Sequence, residues 1–244
     1  VTRRSVLVTG ATRGIGRAVA IAFAESGDRV AIHHRGSAPL PSLPGDGHVA
    51  VLADLTDPDA VRAMVDEAAE RLDGLDVLVN NAGVYTPHPV LETSYEQWQH
   101  EWRRTLDTNL IGAANTIWCA ARHMRERGGR IVNVSSRGAF RGEPGQAAYG
   151  ASKAGLNSLT QSMAVALAPY GIAVAAVAPG YVETDMTNAH LKSERGADIR
   201  AQSPFNRVAA ASEIAAAVHW LASPAAEWAS GTIIDLNGAS YLRT

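Results

Sequence analysis

A single cysteine, Cys119, in 244 residues excludes an internal disulfide, and no Cys and His cluster stands at metal-ligand spacing. No metal site is expected. The chain has no apolar run close to the roughly 20 residues that a membrane-crossing helix needs, so no membrane contact is expected either. Neither charge sign dominates: 22 Lys plus Arg against 24 Asp plus Glu leave a formal net charge of -2, and no broad field draws the chain to nucleic acid. Any anion site must therefore be local. Val1–Ser5 is too short for the apolar region of a signal peptide, so the fold is expected to begin almost at residue 1, in a reducing cytoplasm.

What the chain does have is 46% hydrophobic residues, enough for a substantial core. They fall into a repeating rhythm. Val6-Leu7-Val8 reads as a strand, and Ile15, Ala18, Val19, Ala22 and Phe23 then line one helix face. Residues 30–32 and 49–52 read as further strands, separated by a loop over 36–47 whose prolines and glycines leave any helix there short or missing. Asp57 with Pro58 opens a helix through Val61, Met64, Val65, Ala68 and Leu72. A strand over 75–79 precedes a capping box, Ser94 with Gln97, and a long helix through Trp98, Trp102, Leu106 and Leu110. Strands over 131–134, 172–177 and 233–236 follow, with helices over 147–169 and 212–222 and a mixed connection over 180–207. Strands apolar on both faces that alternate with helices predict an α/β fold. The expectation is one Rossmann-type, doubly wound parallel sheet flanked by helices, a single domain over 1–244 with no linker and no repeat.

The first strand runs into Thr9-Gly10-Ala11-Thr12-Arg13-Gly14-Ile15-Gly16 and then a helix. Glycines there let the backbone approach a pyrophosphate, and the helix start offers free N–H groups and the positive dipole end. The spacing is G-x-x-x-G-x-G, so the more familiar G-x-G-x-x-G pattern does not find it. The second strand ends in His33-His34-Arg35-Gly36, where an NAD site usually places an acid for the ribose hydroxyl. Arg35 and Arg13 can instead pair with a 2'-phosphate, which points to NADP(H); alternatively both are solvated surface arginines. Asp54, with Leu55 beside it, ends the third strand and either accepts from an adenine amino group or caps a turn.

Ser135-Ser136 closes another strand, and Tyr149-Gly150-Ala151-Ser152-Lys153 opens a helix. Residues four apart share a helix face, so Tyr149 and Lys153 point into one site. An ammonium beside the phenol is expected to lower its pKa, as suits a proton donor to a carbonyl oxygen. Lysine occurs only at Lys153 and Lys192, which makes this one informative.

Together these residues resemble the short-chain dehydrogenase/reductase family over nearly the whole chain. The glycine turn, Asn80-Asn81-Ala82-Gly83, the Ser136, Tyr149 and Lys153 set and Pro179-Gly180 occur in family order. The resemblance implies Asn109 as a fourth catalytic residue, linking Lys153 to solvent through a water. It implies that Ser136 binds the substrate carbonyl oxygen, Tyr149 delivers the proton, and Lys153 also holds the nicotinamide ribose. Asn81, Ala82, Gly83, Pro179, Gly180, Val182 and Thr184 are implied as cofactor contacts, and 180–207 as a substrate lid. Within the family, the chain most resembles bacterial 3-oxoacyl-[acyl carrier protein] reductases, which reduce a β-ketoacyl thioester with NADPH. Arg125, Arg127, Arg137 and Arg141 are then candidates for docking an acidic carrier protein.

The chain also departs from those reductases. Tyr170 stands where they often carry a basic residue, Ser136-Arg137-Gly138-Ala139-Phe140 is unlike the usual stretch, and the C-terminal Asp235-Leu236-Asn237-Gly238-Ala239 differs as well. A free ketone, sugar, steroid or polyketide substrate uses the same catalytic residues, and a non-catalytic NADP sensor is a third reading. The resemblance implies a homotetramer through the helices near 100–125 and 147–169 and the C-terminal strand. Trp118, Cys119 and Met163 belong either to that interface or to the core. None of the histidines shows ligand spacing, and no role is expected for them.

Overall fold

Val6, Leu7 and Val8 are all fully buried although successive strand residues face opposite ways, so β1 (Ser5–Val8) must be covered on both sides. The computed structural model describes residues 3–36 and 39–243; Val1, Thr2, Thr244 and residues 37 and 38 of the expected loop lie outside the described residues. After β1 come α1 (Gly14–Glu25), β2 (Arg29–His34), β3 (Val49–Leu52), α2 (Pro58–Arg71), β4 (Val77–Asn80) and α3 (Tyr95–Leu106). A π turn (Asp107–Ile111) then leads into α4 (Gly112–Met124), β5 (Gly129–Val134), α5 (Ala147–Leu167) and β6 (Ile172–Pro179). The chain ends with β7 (Val182–Glu183), α6 (Asp185–Lys192), α7 (Gly196–Ala201), β8 (Ala209–Ala210), α8 (Ala211–Leu221) and β9 (Ile233–Leu236).

Seven strands form one parallel sheet in the order β3-β2-β1-β4-β5-β6-β9. The order reverses between β1 and β4, so the connections leave these two strands on opposite faces and open a crevice beyond their carboxyl ends. On one face Val6, Val8, Val30 and Val79 pack with Phe23 of α1 and Ile214 and Val218 of α8. On the other, Leu7, Leu78, Ile131 and Val174 pack with Met64 of α2 and Ile117 of α4. Each such side chain contributes about 1.5–3 kcal/mol when fully buried. The expected α/β class and sheet are observed, and among the described residues no helix lies between β2 and β3.

Helix starts follow their local chemistry. Asp57 accepts from the Asp59 and Ala60 amides ahead of Pro58, and Ser94 and Gln97 form the reciprocal capping box. The helix expected through Leu110 instead continues to Met124 by way of the π turn. Gly112 permits this, since a Cβ there would stand 2.8 Å from the Leu55 carbonyl oxygen. Cys119 belongs to the core, whereas Trp118 is half exposed with the Arg122 guanidinium 3.4 Å over its ring.

His33, for which the pattern of residues indicated no role, holds the first turn in place. Its Nδ1 accepts the Gly10 amide at 2.9 Å and its Nε2 faces the Ala53 carbonyl oxygen at 3.1 Å. An acceptor at Nδ1 and a donor at Nε2 define one neutral tautomer. Burial holds the His33 pKa below its ordinary 6.5. The folded state thus resists a proton that the unfolded chain accepts, so stability is complete above 6.5 and falls as the pH drops from there toward the lower folded value. His219, also lowered by burial, adds a slope of the same sign. Asn at position 33 keeps an acceptor near Gly10 without a titrating group. Urea unfolding of His33→Asn is expected to show a smaller loss of stability between about pH 7.5 and about pH 5.5 than the parent chain. Equal losses in the two chains would refute the linkage.

Candidate active site

The crevice between β1 and β4 forms a cleft of about 610 Å³, within the usual range for a ligand site. Its floor is the glycine turn. Gly10 adopts φ +64°, and a Cβ there would lie 2.9 Å from Ala82 Cα, so the turn after β1 can meet the turn after β4 only as glycine. Thr9 and Asn81 lock the two turns together. The Thr9 hydroxyl oxygen accepts the Asn81 and Ala82 amides at 2.9 and 3.1 Å, and Asn81 Nδ2 donates to the Thr9 and Gly10 carbonyls at 2.9 and 3.1 Å. Above this floor α1 begins just after Arg13, which supplies no side-chain cap, and its first turn carries no acid. Free N–H groups and an uncompensated dipole end facing a cleft of this size suit the pyrophosphate of a dinucleotide.

Gly10, Thr12, Arg13, Gly14, Ile15, Arg35, Asp54, Leu55, Asn81, Ala82, Gly83, Pro179, Gly180, Val182 and Thr184 all line this cleft. Gly16 does not; it is buried behind the turn, against Gly10 and Asn81, and its role is packing. Arg13 and Arg35 are both exposed and both line this cleft. Asp54 Oδ1 accepts from the Thr56 amide and hydroxyl at 3.0 and 2.8 Å, so it caps its turn. That hydrogen bonding, with a smaller contribution from Arg35, holds its carboxyl below the usual value.

Farther along the sheet, beyond β5, Ser136, Tyr149 and Lys153 line one wall. Ser136 leaves β5 and its Oγ accepts the Gly138 amide at 3.0 Å. Tyr149 and Lys153 project from the start of α5, where His88 Nε2 accepts the Ala148 amide at 3.2 Å and Ser152 Oγ donates to the Tyr149 carbonyl at 2.7 Å. Lys153 Nζ donates to the Val134 carbonyl at 2.8 Å and stands 5.8 Å from the centre of the Tyr149 ring.

The expected lowering of the Tyr149 pKa by Lys153 is not found. Burial raises the phenol above its ordinary value, with hydrogen bonding to Ser136 opposing this and the Glu143 charge adding to it. Burial also brings Lys153 down to about 8. Desolvation by burial is the leading cause at both groups.

Asn109 sits in the π turn but does not line the cleft. Its Oδ1 accepts the Val84 amide at 2.8 Å, and its Nδ2 donates to the Val84 carbonyl at 3.0 Å and to Ser152 Oγ at 3.2 Å. Its side chain thus ties the segment after β4 to the helix that carries Tyr149 and Lys153. The wider π turn is what directs it there.

Three of the four arginines expected to dock a carrier protein do not stand at this mouth. Arg137 is 3% exposed and paired with Glu143 at 3.1 Å. Arg125 and Arg127 follow α4 at the amino edge of the sheet, where Arg127 approaches Asp73 and Asp76. Arg141 is half-buried, with Nη1 3.4 Å from Gln202 Oε1. Residue patterns also missed Tyr85, whose ring meets Tyr149 edge-on at 4.9 Å, because nothing in its neighbourhood signals a site.

A family model described as enoyl-(acyl carrier protein) reductase matches residues 10–238. A 3-oxoacyl-[acyl-carrier-protein] reductase of Staphylococcus aureus is 42% identical over 247 residues, covering 98% of each chain. A short chain dehydrogenase from Burkholderia cenocepacia, solved in complex with NADP, superimposes with TM-score 0.87 at 33% identity over 97% of both chains. The ligand-free aldohexose dehydrogenase of Thermoplasma acidophilum gives TM-score 0.88 at 30% identity, over 99% of this chain and 95% of that one. Since these matches run from the glycine turn through the last strand, the chain belongs to the short-chain dehydrogenase/reductase family.

Proposed function

We propose that this chain is an NADPH-dependent carbonyl reductase that converts a 3-oxoacyl thioester, carried by an acyl carrier protein, into the 3-hydroxyacyl product. The observation that carries the reading is Ser136, Tyr149 and Lys153 on one wall of a cleft floored by a glycine turn and lined by two arginines. The relatives named 3-oxoacyl-[acyl-carrier-protein] reductase, matched over almost the full chain, support the substrate. The glycine turn and α1 N-terminus hold the pyrophosphate, Arg13 and Arg35 the 2'-phosphate, and Lys153 the nicotinamide ribose. Bound NADPH supplies hydride to the carbonyl carbon.

The chain's own residues manage the oxygen. Ser136 donates a hydrogen bond to it, and Tyr149 transfers the phenolic proton as negative charge develops there. The phenol holds that proton at neutral pH, and burial strengthens its hold. Asn109 serves the catalytic set as a positioning residue, through Val84 and Ser152. We read residues 180–207 as the substrate lid of a single domain: β7 near its start pairs with β8 just beyond its end, and α6 and α7 lie between them. A homotetramer in the cytoplasm accords with this reading, and among the described residues no helix is long and apolar enough to cross a membrane.

A free ketone or sugar substrate is the second reading. It is favoured by the placement of Arg125 and Arg127 at the amino edge of the sheet, by the burial of Arg137 against Glu143, and by the likeness to an aldohexose dehydrogenase. Loss of NADPH absorbance with acetoacetyl thioesters, set against a panel of simple ketones and aldoses, separates the two. Turnover of thioesters alone supports the first reading, turnover of free carbonyls alone the second, and turnover of none refutes both.

Tyr149→Phe should lower kcat by about 10²- to 10⁴-fold while NADPH still binds by fluorescence titration; full turnover would remove Tyr149 from the proton-donor role. Arg35→Ala should weaken NADPH by about 10- to 150-fold, as expected for a charge-assisted hydrogen bond of about 1.5–3 kcal/mol, and leave NADH nearly unchanged. An equal effect on the two nucleotides would mean that Arg35 does not hold the 2'-phosphate.

A further inference from the structure

Arg137 follows Ser136 directly, and its guanidinium is almost wholly buried. Its partners come from four parts of the chain. Nη2 donates to Glu143 Oε1 at 3.1 Å in the loop before α5. Nη1 donates to Gln202 Oε1 at 2.9 Å, just after α7, and to Ser240 Oγ at 2.8 Å in the C-terminal segment. The guanidinium carbon lies 5.4 Å over the ring of Tyr181, which begins the connection after β6. One side chain therefore joins the first and last parts of segment 181–202 to the turn that carries Ser136.

The acid it pairs with stands beside the reacting groups. A Cβ placed on Gly138 would lie 3.4 Å from Ser136 Oγ, 3.6 Å from Tyr149 Cε1 and 3.7 Å from Glu143 Cγ, so the three surround one point. The other groups facing Tyr149 are Lys153 from its own helix, Tyr85 from the segment after β4 and Ser136 from the end of β5. Of these only Lys153 becomes a cation. A bare Glu143 carboxylate here would oppose any negative charge forming on Tyr149 or on the substrate oxygen.

We propose that Arg137 is a positioning residue which compensates the Glu143 carboxylate beside Ser136 and Tyr149 and clamps the 181–202 segment and the C-terminal segment against the Ser136 turn. Coupling these two tasks in one side chain makes the charge environment of the phenol depend on the closed arrangement of that segment. The guanidinium suits both, because its planar fork serves several acceptors at once whereas an ammonium is a point charge. Glu143 raising the Tyr149 pKa agrees with the placement. The proposal rests on the carbonyl-reductase reading for its catalytic meaning, but its geometry stands without it.

The test uses four full-length variants and two readouts. The first readout is the tyrosinate absorbance change on alkaline titration, taken as the difference between each variant and the same variant carrying Tyr149→Phe, which reports the phenol without turnover. The second is KM against kcat with an acetoacetyl thioester and NADPH. Arg137→Met should move the Tyr149 titration to higher pH and raise KM by about tenfold or more, the loss expected from about 1.4 kcal/mol. Glu143→Gln should move the titration to lower pH. The double variant should return the titration to near the parent's while KM stays raised, because Ser240 still lacks its donor and Gln202 keeps only the longer bond from Arg141. Arg137→Lys keeps the charge but not the fork, so it should titrate like the parent with a raised KM; it and Glu143→Gln decide the matter if Arg137→Met does not fold. A parent-like titration and KM in Arg137→Met, or in its absence a parent-like KM in Arg137→Lys, would overturn the proposal. So would a double variant that keeps the alkaline shift of the single one. If the parent reduces no carbonyl compound, the functional reading fails, and the titration arm still decides the Arg137 assignment.

Discussion

The site depends on one clamp, the contact between the turn after β1 and the turn after β4. These adjacent parallel strands send their chains to opposite faces of the sheet, so the crevice beyond them exists only if both turns stay clear of it. Thr9 and Asn81 meet that constraint with four hydrogen bonds between side chain and backbone, and Gly10 allows the approach by having no Cβ. Asn81 is therefore first a builder of the cleft floor, even though it also lines the cleft. His33 extends the clamp to β2 and β3, taking up the Gly10 amide and reaching the Ala53 carbonyl. Four strands are thereby coupled around the point where α1 begins.

The sheet was legible because its inner strands are buried on both faces. Uninterrupted runs such as Val6-Leu7-Val8 and residues 172–177 have no competing reading once helical stretches separate them. Caps were legible for the same local reason, since Asp57 and Ser94 act on amides two or three residues away. The glycine turn and the Tyr149 and Lys153 pair also carry their geometry in their spacing. The π turn was not legible, because it answers to the close approach of Gly112 to Leu55, a contact between separate elements.

The misreadings share that cause. Whether an arginine is a solvated docking residue or a buried clamp depends on what lies around it, and the partners of Arg137 at Gln202 and Ser240 are 65 and 103 residues away. Arg125 and Arg127 look close to the site along the chain, but α4 runs back across the sheet and delivers them to its far edge. Histidines without ligand spacing look idle, yet His33 and His88 each satisfy a backbone amide that glycine-turn or helix geometry would otherwise leave without a partner. Asn109 was found by likeness, but its side-chain partners at Val84 and Ser152 had no signature of their own.

Burial also settles the electrostatics of the reacting pair, in a direction that spacing alone does not give. Two groups four residues apart on a helix suggest mutual attraction, in which the ammonium favours the phenolate. Inside this wall the cost of removing each charge from water is the leading effect at both groups, so the phenol is raised and the ammonium comes down to about 8. At neutral pH both groups still hold their protons, which is the state a proton donor to a carbonyl oxygen must start from. The same exclusion of water strengthens the interactions that matter as charge moves. Donors at Ser136 and Tyr149 and the positive charge of Lys153 act on a developing oxyanion in a medium far less polarisable than water, without first having to reorient. The desolvation that makes Tyr149 a weaker acid at rest thus makes its surroundings a stronger stabiliser of the charge formed during transfer. That is why the pair sits at the buried start of α5 and not on the helix's exposed face.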